Sequence, residues 1–276
     1  MSSPPESLTF SAAQATGAVE PSRVEMCRIA SLAALQNAGQ VRECLARRGF
    51  DRFVWFQQQS TRGFAAGNRS LILVAMHGDL SEHELRTLAR EPPRLVETSL
   101  GRVGEEFWRR LALVRENLQE TVAALADAGQ SVVLTGHGVG GALAVLAGAV
   151  LASDGQQRVN RIATFGAPRP GSREFAARCQ QDLAGVIVRA ASAGDLLTLV
   201  PGREFDFAHV GEVEYFDGLG RLRTDAAWLS IDEERATRAR ILGAHPAWDA
   251  DAAELEYLRL SAASESEPRS AAGAHV

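Results

Sequence analysis

Along this chain the spacing of apolar positions switches between the two periods that mark strands and helices. Ser70 to Met76 (SLILVAM) is an almost unbroken apolar run of the kind carried by a strand covered on both faces. Ser131 to Thr135 (SVVLT) repeats it, and Phe53 to Gln58, Arg161 to Phe165 and Val186 to Ala190 add further strands. Between Glu105 and Asp127, residues Phe107, Leu111, Val114, Leu118, Val122 and Leu125 fall at steps of three and four, which predicts one helix with a single apolar stripe. Arg109, Arg110, Glu116, Gln119 and Glu120 fall on its opposite, polar side. Val24 to Arg48 reads as a pair of helices and Ala142 to Leu151 as a buried one. Val210 to Asp217, the turn Gly218 to Gly220 and the residues from Arg221 onward read as a hairpin. Strands separated by helices predict a mostly parallel central sheet flanked by helices, an α/β fold.

With 46% hydrophobic residues in 276, the chain has enough apolar surface for one large core. No linker, repeat or compositional shift divides it. Residues 1–22 and 261–276 are poor in large apolar side chains and are expected to be mobile tails around a domain at 23–260. A formal net charge of −5 gives no electrostatic reason to expect nucleic acid as a partner. Cys27, Cys44 and Cys179 are widely spaced and form no CxxC or metal-ligand pattern, so they read as reduced thiols. Met1 to Pro21 has neither a basic nor an apolar signal region, and the expected location is the cytoplasm. Gly140 to Ala152 is too short for a membrane span, which takes ~20 residues.

The chemistry concentrates at Gly136-His137-Gly138-Val139-Gly140-Gly141, between a predicted strand and a predicted helix. That is where G-x-S-x-G forms the nucleophile elbow of an α/β-hydrolase: a sharp turn with a strained central residue, flanked by small ones because strand and helix approach closely. Gly136, Gly140 and Gly141 meet the flanking need, but the centre is Gly138.

GHGVGGALA here resembles the G-H-S-L-G-G-A-L-A of class 3, fungal-type lipases, and TFGAPRPG at Thr164 to Gly171 resembles their T-[FY]-G-x-P-R-x-G. Gly194-Asp195-Leu196-Leu197 with Pro201, and then His209-Val210-Gly211-Glu212, continue the likeness in the same order. The resemblance implies an α/β-hydrolase fold, no cofactor and no metal, and a lipid or ester-like small molecule as ligand. It implies a nucleophile at position 138, Asp195 as the acid and a C-terminal histidine as the base, for which His245, followed by Trp248 and Tyr257, is the candidate. It also implies an oxyanion hole formed by residue 79 and Val139. Where the family carries R-G-[ST], this chain has His77-Gly78-Asp79, so a carboxylate stands where negative charge would develop, although the Asp79 N–H remains a possible donor.

Other readings of the same residues stay open. Asp195 alone also reads as a turn cap, and His245 reads equally as a surface residue before Pro246. His137 reads as a structural group hydrogen-bonded beneath the elbow, and His209 as one that orders the loop before the hairpin. His77, Asp79 and His83, with His245, form an alternative metal set that would activate water. Leu80 to Thr98 takes the family's lid position, or is a solvated surface helix and loop. Glycine at position 138 removes what the acid and base would activate. Three functions follow: an inactive pseudo-hydrolase that binds or regulates through its pocket; an ester hydrolase inactivated by a Ser→Gly change; or different chemistry in the same pocket.

Overall fold

A computed structural model describes residues 21–81, 83–84, 87–88, 93–127, 130–155, 157–224 and 250–266. Helices α1 (Arg23–Ala34) and α2 (Ala38–Ala46) lead into strands β1 (Arg52–Gln58), β2 (Thr61–Gly67) and β3 (Leu71–Gly78). Two short strands, β4 (Leu95–Thr98) and β5 (Gly101–Gly104), precede α3 (Glu105–Ala112) and α4 (Arg115–Leu125). The central unit is β6 (Ser131–His137), α5 (Val139–Ser153) and β7 (Arg158–Phe165). It is followed by β8 (Gly171–Ser172), α6 (Arg173–Asp182), β9 (Ile187–Ser192), β10 (Phe207–Ala208), β11 (Glu212–Phe216), β12 (Leu222–Arg223) and α7 (Ala250–Ser266).

The main sheet runs in the order β1-β2-β3-β6-β7-β9-β11-β12. Its centre, β3-β6-β7-β9-β11, is parallel, while β1, β2 and β12 pair antiparallel at the edges. A small second sheet, β10-β8-β5-β4, lies beside it. Alternate residues of the central strands feed a core on each face. Ile72, Val74, Met76, Val132 and Leu134 pack with α3, α4, α5 and α6, whereas Leu71, Leu73, Ala75 and Val133 pack with α1, α2 and α7. Burial on both faces is why β3 and β6 are apolar throughout instead of alternating. Helix α5 sits deep against three strands, and every residue from Val139 to Leu151 is buried.

Three sequence expectations need correction. The helix foreseen across Glu105 to Asp127 is two, α3 and α4, divided at Leu113 and Val114 where the Val114 N–H bonds back to Leu111. The apolar stripe crosses that break intact, because its six residues are all buried in one core. Arg110, foreseen on the polar side, is 2% exposed. The supposed C-terminal tail is not one from residue 261: α7 continues to Ser266, Arg23 donates to Ser264 Oγ, and the Glu265 carboxylate receives the Val24 N–H. Ser22 belongs to the body as well, as the N-cap of α1 in a capping box with Glu25. Cys27, Cys44 and Cys179 are buried free thiols.

Candidate active site

The turn from β6 into α5 is fixed by contacts that admit no side chain at three of its glycines. A Cβ on Gly136 would overlap the Gly140 carbonyl, one on Gly140 would overlap the Met76 carbonyl of β3, and one on Gly141 would come within 2.7 Å of the Ala167 Cβ. Gly138 differs. Its backbone stands at φ 55° and ψ −126°, a conformation that costs a residue with a side chain about 1–3 kcal/mol. Yet a Cβ there would meet only Leu197 Cδ2, at 3.2 Å. The conformation is held by the Gly138 N–H bond to the Phe165 carbonyl (2.8 Å) and by Gly138's own carbonyl, which takes the Gly141 N–H (2.9 Å). The turn therefore presents position 138 as an elbow presents its nucleophile, without the side chain.

Asp195 follows β9 and is 4% exposed. One carboxylate oxygen accepts the Leu197 N–H at 3.0 Å, so the residue caps the short 3₁₀ turn Leu196–Leu199. The other accepts the Tyr257 hydroxyl at 2.9 Å and lies so close to Gly166 that a Cβ there would overlap it. Leu197 links the two centres, since it borders both Asp195 and the space above Gly138. Tyr257 arrives on α7, is fully buried, accepts the Ser192 N–H at 2.8 Å, and packs edge-on against His137 and Phe165. It was visible in the sequence only as the aromatic residue downstream of His245; its bond to Asp195 depends on α7 returning across the sheet. His245 itself lies outside the described residues.

The loop after β3 departs from the sequence expectation. The Asp79 N–H, proposed as an oxyanion donor, is directed to the Ser60 carbonyl at 3.1 Å. Its carbonyl accepts from Arg110 (2.7 Å), one carboxylate oxygen from Arg62 (2.7 Å) and the other from His77 Nε2 (2.7 Å). An ionised carboxylate only accepts, so His77 Nε2 carries the proton in this pair. The His77 hydrogen bond first, and Arg62 after it, hold the Asp79 carboxyl well below the usual carboxylate range despite partial burial. The charge foreseen as opposing an oxyanion is thus matched by a guanidinium. Arg62 also caps the end of α1 through the Ala33 and Ala34 carbonyls, and Arg110 ties the loop to Ser60, Glu84 and Glu106. Sequence pointed to neither arginine as a partner of Asp79, because those bonds join residues distant along the chain.

His137 is the other correction. Its Nε2 is buried and, among the described residues, has no hydrogen-bond partner, so it is not the hydrogen-bonded support foreseen beneath the elbow. Burial first, and then His77, press its pKa down to about 3. His209 does order the loop after Asp195: its Nε2 meets the Thr198 carbonyl at 2.8 Å. Val139 opens α5, where the first N–H groups of a helix lack intrahelical acceptors. Among the described residues no three His, Cys, Asp or Glu side chains are grouped to hold a metal ion. No helix among them is long and apolar enough to cross a membrane.

Comparison with known proteins places this geometry. Residues 73–205 match the model of the lipase (class 3) family. A phospholipase A1 of Oryza sativa subsp. indica, described as chloroplastic/mitochondrial, is 38% identical over 97 residues, or 34% of this chain and 22% of that protein. A triacylglycerol lipase of Nicotiana tabacum is 30% identical over 152 residues, 51% of this chain and 26% of that one. The chain thus spans about a quarter of the length of these relatives. Among solved structures, the mono- and diacylglycerol lipase of Aspergillus oryzae aligns with a TM-score of 0.60 and 20% identity over 70% of this chain and 78% of its own. Lipase II of Rhizopus niveus aligns at 0.54 and 21%, over 69% and 74%. The fold is that of the fungal lipases, an α/β-hydrolase with a mostly parallel sheet flanked by helices.

Proposed function

From the class 3 lipase family, which the match over residues 73–205 and the fungal lipase fold support, we propose that this protein is a non-hydrolysing member that uses its pocket to bind a lipid or ester-like small molecule. The observation that carries the reading is Gly138: a sharp elbow with room for a side chain and none present. Serine hydrolysis needs an oxygen nucleophile at that point, and neither Asp195 nor a histidine base supplies one. The Asp79 loop supports the same reading, since its N–H is already bonded to Ser60 and its carboxylate is anchored by Arg62 and His77. An oxyanion hole works through preorganised donors aimed at the developing charge, and this donor is aimed elsewhere.

Room at position 138 also favours a second reading, an ester hydrolase whose serine has become glycine. Hydrolysis of short- and long-chain p-nitrophenyl esters by the natural chain and by Gly138→Ser separates the two. The binding reading expects background rates from both proteins, with the long-chain ester bound and recovered intact. Strong hydrolysis by Gly138→Ser alone establishes the second reading. Lipase-level turnover by the natural chain overturns both, and its loss in His77→Ala would point to chemistry based on the His77–Asp79 pair.

A further inference from the structure

The hydrogen-bond donors of the loop after β3 are spent inside the protein, and one acceptor is not. The Asp79 N–H goes to the Ser60 carbonyl, and its carboxylate can only accept. Arg62, 5% exposed, gives Nε to the Ala33 carbonyl, Nη1 to Asp79 and Nη2 to the Ala34 carbonyl. Arg110 is buried and bonded through all three nitrogens, to Glu106, to Ser60 and the Asp79 carbonyl, and to Glu84. His77 Nε2 points its proton at Asp79, so the neutral ring carries its lone pair on Nδ1. Nδ1 has no partner among the described residues and, unlike His137 Nε2, is not sealed from solvent. His77 lies at the carboxyl end of β3 against the elbow, where a Cβ on Gly140 would come within 2.9 Å of its Cα. Open α/β sheets take their ligands at the carboxyl ends of their strands.

We propose that His77 selects the ligand of this site through Nδ1, and that the ligand is an aliphatic alcohol whose hydroxyl donates to the imidazole. A ketone or ester carbonyl brings only lone pairs and would meet another lone pair. A carboxylate does the same and adds negative charge beside Asp79. An alkylammonium could donate, but the Asp79 charge is already matched by Arg62, so the ion would give up its hydration for one neutral partner. A hydroxyl donates at the smallest loss of hydration. Asp79 is a positioning residue here. It acts through the imidazole by fixing which nitrogen accepts, as the aspartate of a hydrolytic triad fixes the tautomer of its histidine. The loop that would donate to an oxyanion thereby accepts instead.

This ligand class rests on the binding reading above but fails separately from it. Ester turnover by the natural chain overturns that reading whatever His77 accepts, and equal affinity for an alcohol and its matching ketone overturns the ligand class alone. The experiment is calorimetric titration of the full chain with n-octanol, methyl hexyl ketone and octanoate at about pH 8.5, where free imidazole is neutral. Octanol is expected to bind about fivefold tighter than the other two, the size of one neutral hydrogen bond. In Asp79→Asn, Arg62 keeps the amide oxygen and the amide NH2 turns to His77 Nε2, which must then accept, so the ring proton moves to Nδ1. The ketone should gain about fivefold in that variant while octanol, which also accepts, holds its affinity. Imidazole nitrogen NMR shifts of His77 should report the proton on Nε2 in the natural chain and on Nδ1 in the variant. A merely structural Asp79 would weaken both ligands and leave the tautomer as it is. His77→Phe should bring octanol down to the level of the ketone. No binding of octanol, equal binding of octanol and the ketone by the natural chain, an Asp79→Asn variant that leaves the ketone unimproved, or a proton on Nδ1 in the natural chain would overturn the proposal.

Discussion

The elbow and the loop after β3 lie against each other, Gly78 beside Val139 and Gly140 beside Met76, but differ from the class 3 lipase sequence pattern in opposite ways. At the elbow the pattern's side chain is missing and nothing has moved in: position 138 keeps its positive-φ backbone and its open space. At the loop a group has been added and the surroundings are built around it. Asp79 is bonded through its N–H, its carbonyl and both carboxylate oxygens. A bare loss can be reversed by one substitution, whereas a built network resists, because replacing Asp79 takes a partner from the buried guanidinium of Arg62. This contrast is why the serine variant is expected to stay silent, and the predictions that follow probe it from the largest effect to the smallest.

The scaffold of the elbow should be far less forgiving than its centre. Gly140→Ala drives a methyl group into the Met76 carbonyl, with backbone on both sides and no side chain to swing away. The expected loss is about 3 kcal/mol, or failure to fold. In thermal denaturation this appears as a fall of roughly 6–12 °C. A variant that melts with the natural chain would mean that β3 and α5 are not packed as closely as described.

Next is a pH effect at His137. Its pKa lies at about 3 in the folded protein, against about 6.5 unfolded, so the unfolded chain takes up a proton first as pH falls. The stability tied to its neutral form is complete above about pH 6.5 and is lost progressively as pH drops toward 3. The natural chain should therefore lose roughly 3 kcal/mol between pH 7 and pH 4 that His137→Phe does not, as read by urea denaturation across that range. Identical pH slopes would show that the imidazole is not enclosed.

Much of this arrangement was legible in the sequence, and what was not has physical causes. The parallel centre showed itself because strands buried on both faces must be apolar throughout, as β3 and β6 are. The elbow showed itself because Gly136, Gly140 and Gly141 are forced by backbone contact, and such demands fix residue identity. Strand β2 (TRGFAAG) did not, since its small residues answer to a neighbour: a Cβ on Gly63 would overlap the Ala75 carbonyl. The break between α3 and α4 left the apolar stripe uninterrupted and so gave no periodic signal. The clamp on Asp79 was hidden for another reason. Arg62 and Arg110 look like ordinary surface charges until the fold buries them against the loop, and contacts between residues far apart in sequence leave no local pattern. Asp195 could be read at its own position, but its Tyr257 partner could not.

Tyr257→Phe tests that partnership. The phenol donates to Asp195 and accepts from the Ser192 N–H, so removing it takes one hydrogen bond from each in a fully buried place. The ring contacts with His137 and Phe165 survive the change, which isolates the hydroxyl. A loss of about 1–2 kcal/mol is expected by urea denaturation. No loss would mean that Asp195 and Ser192 find other partners, and that α7 does not anchor the acid.

The smallest effect should come from the position that matters most for chemistry. Gly138→Ala adds the Cβ that a serine would also bring, without adding a nucleophile. Two terms oppose the change: the backbone at φ 55° and ψ −126°, and a 3.2 Å approach to Leu197 Cδ2, the end of a side chain able to shift by a few tenths of an ångström. Neither involves a backbone overlap of the kind met at Gly140. The cost should therefore be about 1 kcal/mol, at the low end for a residue held in an unfavourable region. Thermal denaturation should give a well-folded protein melting roughly 2–4 °C lower. If Gly138→Ala proves as damaging as Gly140→Ala, glycine is there because the turn requires it, and position 138 is scaffold. If the cost is small, the fold would tolerate a serine, and the absence of one is a property of the site's chemistry.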